Sequence, residues 1–137
     1  MRPALDVLRL FLHVGSATIW LGGMVTVAGL TPTLRSLDAP GDSSARVVAA
    51  FGRFAWPAYG LLVLTGVWNI LELPAMSQLG ISYQIALSLK ILLAVASGFG
   101  AFIAQAPHAP KRAVPAAQAL ATLSAAGALL IGVGLLS

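Results

Sequence analysis

Along this chain polar positions fall in short islands, and between them lie four apolar runs, at about 6–30, 56–73, 83–105 and 115–136. A helix that crosses a bilayer needs about 20 predominantly apolar residues, so each run predicts one spanning helix. At 1.5 Å per residue the first run makes a helix of roughly 36 Å, against a hydrocarbon core of about 30 Å. Pro3 and Asp6 supply start signals for it, and Pro32 follows its expected end. The islands between the runs are rich in turn formers: 36–44 contains Asp38, Pro40, Gly41 and Asp42, and 106–114 contains Pro107, His108, Pro110, Lys111 and Arg112. A shorter island, 75–82, separates the second and third runs. Segment 45–54 differs, because Arg46 and Arg53 lie seven residues apart on one helix face among Val47, Val48, Phe51 and Phe54. That pattern predicts an interfacial turn leading into the second span, with Trp56 and Tyr59 as an aromatic belt where the span begins. The expected fold is all-α, an integral membrane antiparallel four-helix bundle, with 1–137 forming a single transmembrane domain.

Composition narrows the class further. The chain is 58% hydrophobic and 9% charged, where a soluble domain carries roughly 25% charged residues. So few charges do not cover the surface of a water-soluble protein, and the expected partner is the lipid bilayer. Four spans use almost all of these 137 residues, which places any chemistry within or between the helices. The net charge of +4 comes from scattered residues and not from a basic stripe with interleaved aromatics, so nucleic acid is not an expected partner. With no cysteine, disulfides, thiolate metal sites and thiol nucleophiles are all excluded. The first apolar run continues past Trp20 and Val27, too long for the core of a signal peptide, and is read as a span.

Lysine and arginine near helix ends set orientation. Arg35, Arg46, Arg53, Lys111 and Arg112 flank the first and third islands, whereas Arg2 and Arg9 flank the termini. The expectation is a multi-pass cell-membrane protein with both termini non-cytoplasmic.

Charged and polar side chains at membrane depth are costly, about 2.5–3.5 kcal/mol or more for a charge at the centre, and so point to function. His13 and Lys90 each lie about seven residues inside spans that start on the same side, and Asn69 and Glu72 close the second span there. One-dimensional reasoning therefore places His13, Lys90, Asn69 and Glu72 in one leaflet. His13, Ala17, Trp20 and Met24 share one stripe of the first helix, with Ser16 at its edge, and this stripe is expected to line a cavity. Gly15, Thr18, Gly22, Thr26 and Gly29 form the opposite stripe, expected to make close helix contact because small residues let backbones approach. Thr65, Trp68, Asn69 and Glu72 share a face of the second helix; Tyr83, Leu87, Lys90, Ala94 and Ser97 share one of the third. The fourth helix, with only Gln118, Thr122 and Ser124 as polar positions, reads as scaffold. Each feature has a purely structural counterpart: Lys90 snorkelling to the headgroups, His13 and Asn69 as interhelical hydrogen-bonding groups, Glu72 in water, and Trp20 and Trp68 as bulky filler. His108 lies on the opposite side from His13.

The residues His13, Trp20-Leu21-Gly22-Gly23 and Pro32 to Arg35 resemble the first helix of the copper-resistance protein D (CopD) domain. Arg53-Phe54 followed by Thr65-Gly66-Val67-Trp68-Asn69 is similar to its second helix, and Tyr83 through Lys90 to its third. The resemblance covers roughly the first three helices and implies a metal- or haem-binding membrane protein, in copper homeostasis and transport or haem-linked redox chemistry. Histidine in the first helix with lysine in the third is also similar to the HemJ-type protoporphyrinogen oxidases, four-helix proteins that bind haem b. The chain departs from that pattern where the HemJ type has a second histidine, having the Pro32–Arg35 stretch instead. On these resemblances His13, Lys90, Trp20 and Asn69 are the expected cofactor-binding residues, and His13 with Met24 the expected metal residues, for haem b or copper. Met24 lies eleven residues from His13, roughly 16 Å along the axis, a relay distance and not that of a co-ligand. Met1 and Met76 are candidate entry ligands. A homodimer, or a larger membrane complex with this chain as a non-catalytic accessory subunit, is the further expectation.

Overall fold

In a computed structural model, which describes residues 3–37, 42–106, 110 and 112–136, the chain is all-α. Its helices are α1 (Ala4–Leu37), α2 (Asp42–Leu71), α3 (Ile81–Gln105) and α4 (Ala113–Leu136), with one 3₁₀ turn at Met76–Gln78 between α2 and α3. Each helix contains a stretch long and apolar enough to cross a membrane: Ala4–Leu34, Arg46–Leu71, Ile81–Gln105 and Ala113–Leu135. Large apolar side chains stand exposed on all four, among them Phe11, Leu64, Leu92 and Leu130. In water such surfaces would associate; the arrangement is consistent with a multi-pass membrane protein.

Two helix boundaries differ from the expected ones. α1 does not stop before Pro32 but carries it inside the helix, as α2 carries Pro57. Segment 45–54 is accordingly the opening of α2 and continuous with the rest of it. Packing explains this continuity. The buried positions Phe51, Ala55, Ala58 and Thr65 keep one helical face on both sides of Pro57, so the register of α2 is held through the proline by its contact face. Around Pro32, the Thr31 hydroxyl donates to the Val27 carbonyl at 2.7 Å and the Ser36 hydroxyl to that of Thr33 at 2.7 Å.

The chain forms two compact units, Met1–Glu72 and Leu73–Ser137. The first is the α1–α2 hairpin. α1 presents Ser16, Trp20 and Met24, all buried and four residues apart, and α2 presents Phe51, Ala55, Ala58 and Thr65. Near the loop end, the Phe51 ring lies directly on Gly23, where any side chain would collide with it.

The second unit is the α3–α4 hairpin, held by small residues. Ala117, Ala121, Ser124 and Ala128 make the buried stripe of α4, and Leu87, Ser97, Gly98, Gly100 and Ala101 that of α3. Backbones meet closely here: a Cβ on Gly100 would lie 2.8 Å from the Ala117 carbonyl oxygen and 2.9 Å from the Ala121 nitrogen. At the same contact the Ser97 hydroxyl donates to the Ala121 carbonyl at 2.7 Å. α4, expected as scaffold, is one half of this tight seam.

Candidate functional site

The first hairpin carries the polar groups of interest in a column along its α1–α2 seam. As α1 advances, its partners on α2 retreat: Arg9 meets Trp68 and Glu72, His13 meets Thr65 and Gly66, and Trp20 meets Tyr59 and Trp56. The His13 stripe thus faces the neighbouring helix along its length. Within the first hairpin the opposite stripe faces away from α2, since a Cβ added at Gly15, Gly22 or Gly29 meets no atom of the hairpin within 4 Å. Thr18 and Thr26 on that stripe donate to the carbonyls of Val14 and Gly22 on their own helix.

His13 is held by a specific contact. Its Nδ1 lies 3.0 Å from Thr65 Oγ1, and the same oxygen lies 2.7 Å from the Leu61 carbonyl and 3.1 Å from that of Leu62. A threonine hydroxyl has one hydrogen to donate, and the short contact to the Leu61 carbonyl takes it. We therefore assign the proton of the His13–Thr65 bond to Nδ1, so that the imidazole donates and the hydroxyl oxygen accepts. In the neutral ring this puts the basic lone pair on Nε2. Gly66 on α2 lies against the ring: an added methyl would stand in van der Waals contact with His13 Cε1 at 3.4 Å.

Trp20 is 2% exposed, with its ring centroid 4.6 Å from that of Tyr59 and 5.2 Å from that of Trp56. It lies seven residues, roughly 10 Å, along α1 from His13. Met24, 9% exposed, lies one turn further on. Asn69 is half-buried on α2, one turn from Thr65.

Arg9 was singled out in the sequence only as a topology charge. Its side chain is 14% exposed, with Nη2 3.2 Å from Asp6 and Nη1 3.9 Å from Glu72, and its guanidinium carbon is 5.8 Å from the centre of the Trp68 ring. Its Nε is buried and has no hydrogen-bond acceptor among the described residues. The spacing of Arg9 four residues before His13, hence on the same helix face, was the available sequence signal. Glu72 is 56% exposed, the rim position its sequence location suggested.

Lys90 belongs to the second unit. It is half-buried on α3 and lies against α4 at Gly132, where an added Cβ would come 3.2 Å from Nζ and 3.3 Å from Cε. Gly132 seats the lysine, and the sequence reading did not single it out. His108 and Met1 lie outside the described residues, as does the side chain of Met76.

The arrangement supplies one oriented imidazole in an apolar seam, with a cation one turn above it. Among the described residues no group of three or more His, Cys, Asp or Glu comes together, so no multidentate site is built from those ligands there. The donor chemistry suits a centre that takes a single imidazole from the protein. The molecule is, by class, an all-α chain of four membrane-length apolar helices with a histidine-centred hairpin seam. Compared with family models, curated proteins and solved structures, the chain matches none of them.

Proposed function

We propose that this chain is an integral membrane protein that binds haem, or a single copper ion, through Nε2 of His13, in line with its resemblance to the CopD domain. The observation that carries this reading is the His13–Thr65 hydrogen bond. Ligating histidines characteristically donate their second nitrogen to an oxygen that fixes tautomer and ring orientation, and Thr65, itself anchored to the Leu61 carbonyl, provides that oxygen. Haem is the better match of the two. A porphyrin supplies the equatorial ligands of its iron, so one imidazole from the protein suffices. A copper ion needs several protein donors, and no group of three His, Cys, Asp or Glu gathers among the described residues. A bound haem would supply one-electron redox chemistry. The chain's own contribution is to orient the imidazole through Thr65. The reading rests on the first hairpin alone.

The test is the visible spectrum of the full chain purified in detergent, oxidised and reduced, with elemental analysis. A Soret band that is present in the wild type and lost in His13→Ala supports haem. A colourless protein with copper that His13→Ala loses supports the copper form. Absence of both, or a cofactor indifferent to His13→Ala, overturns the proposal.

A further inference from the structure

We propose that Arg53, with Arg46 beyond it, forms a headgroup-binding edge on the first hairpin, and that its partner is the phosphate of an anionic phospholipid in the leaflet at the hairpin's loop end. This is independent of the reading of His13 and rests only on α2 crossing the membrane. Phe51 is buried on the seam with α1, its ring against Gly23. At 3.6 residues per turn, a residue two positions further on points away from that seam, and Arg53 is exposed there. The same outward stripe continues through Leu64 and Leu71, each close to a whole number of turns from Arg53. Those leucines are 69% and 77% exposed. In the other direction Arg46 falls on the stripe, seven residues before Arg53, and is exposed as well. One face of α2 thus changes from apolar to cationic at a single place.

The length of the apolar part fixes where that place is. From Phe54 to Leu71 α2 has no charged residue, a stretch of roughly 27 Å against a hydrocarbon core of about 30 Å. Arg53 therefore stands where hydrocarbon gives way to headgroups. The half-buried Trp56 lies one turn inside it, the depth that tryptophan favours. Among the described residues no acidic group pairs with Arg53. The nearest acids along α2, Asp42 and Glu72, are roughly 16 and 28 Å away along the axis. A guanidinium presents paired N–H donors that match two oxygens of one phosphate. Arg46, roughly 10 Å further out, adds a second cation on the same face. The basic residues of this end make its leaflet the predicted cytoplasmic one, which carries the anionic lipid.

The full chain in a neutral detergent is titrated with phosphatidylglycerol, phosphatidylcholine or inorganic phosphate, and thermal unfolding is followed by circular dichroism. A ligand that binds the folded state raises the unfolding temperature. Wild type should reach the same rise with phosphatidylglycerol at a concentration about fivefold lower than with phosphatidylcholine, the effect of one basic residue at an anionic surface. High salt should shrink that preference. Arg53→Gln removes most of it, Arg46→Gln a smaller part, and Arg53→Lys keeps part of it as a point charge. The comparison of lipids on wild type needs no variant and stands even if a variant fails to fold. Equal response of wild type to the two lipids, a preference that Arg53→Gln leaves intact, or the same rise with inorganic phosphate alone overturns the headgroup reading. Release of the chain from membranes by alkaline carbonate removes the spanning of α2 instead, and this inference with it.

Discussion

Thr65 spends its single proton on the Leu61 carbonyl and so meets His13 only as an acceptor. A valine in its place has nearly the same shape and no lone pair, which strands the Nδ1–H of His13 in an apolar seam. The ring then loses the contact that selects its tautomer, and Nε2 is no longer fixed as the basic nitrogen. Loss of such an orienting partner typically weakens metal binding about 10- to 100-fold. We expect Thr65→Val to lower haem or metal affinity in that range, and Thr65→Ser to recover most of it. Affinity measured by titration of the detergent-purified variants checks this; if Thr65→Val binds as tightly as wild type, the tautomer assignment is wrong.

At the scale of elements, two glycines of the same type sit in opposite situations. Gly100 of α3 faces backbone atoms of α4, at 2.8 Å to the Ala117 carbonyl from where a Cβ would stand. Backbone atoms cannot rotate aside, so Gly100→Val must push the helices apart and strain the Ser97–Ala121 hydrogen bond beside it. Overpacking of this kind costs typically 1–3 kcal/mol. Gly22 of α1 meets no atom of its own hairpin, and Gly22→Val should change the stability of that hairpin by no more than about 0.5 kcal/mol. Thermal unfolding of the two variants in the same detergent, followed by circular dichroism, tests the pair; comparable losses would contradict the assignment of faces.

This contrast also marks how far the sequence could be read. The four apolar runs were legible because hydropathy over twenty residues is a summed signal that no single position upsets. The faces of α1 were only half legible. A stripe carrying glycine and threonine allows close approach but does not enforce it, and the bulky stripe of Trp20 and Met24 takes the contact because its area rewards burial. The end expected before Pro32 and the start expected at Trp56 and Pro57 both shifted for a related reason: a local breaker lost to a packing face that continues past it. His13 was legible as a polar residue at depth. Its partner Thr65, the unsatisfied nitrogen of Arg9 and the seat of Lys90 on Gly132 were not, because pairings between helices depend on a register that periodicity does not specify.

For the whole molecule the open quantity is its direction in the membrane, and the sequence makes a definite commitment. If all four helices span, both termini lie on one side, and the basic residues Arg35, Arg46, Arg53, Lys111 and Arg112 predict that the opposite side is cytoplasmic. α1 and α2, at 34 and 30 residues, make helices of roughly 51 and 45 Å, which exceed a core of about 30 Å. The excess lets the hairpin end near Ser36, which lies between Arg35 and Arg46 in sequence, extend into water. Arg9, folded against Asp6 with its side chain 14% exposed, marks the other end. Because the chain contains no cysteine, single-cysteine variants report position without background. Ser36 and Ser77 are both exposed, one on each expected side. On intact cells a membrane-impermeant maleimide should label Ser77→Cys and spare Ser36→Cys until the membrane is opened. The reverse pattern would turn the protein over and place the Arg9 end of the first hairpin on the cytoplasmic face. Labelling of both on intact cells would contradict the spanning of α2 itself.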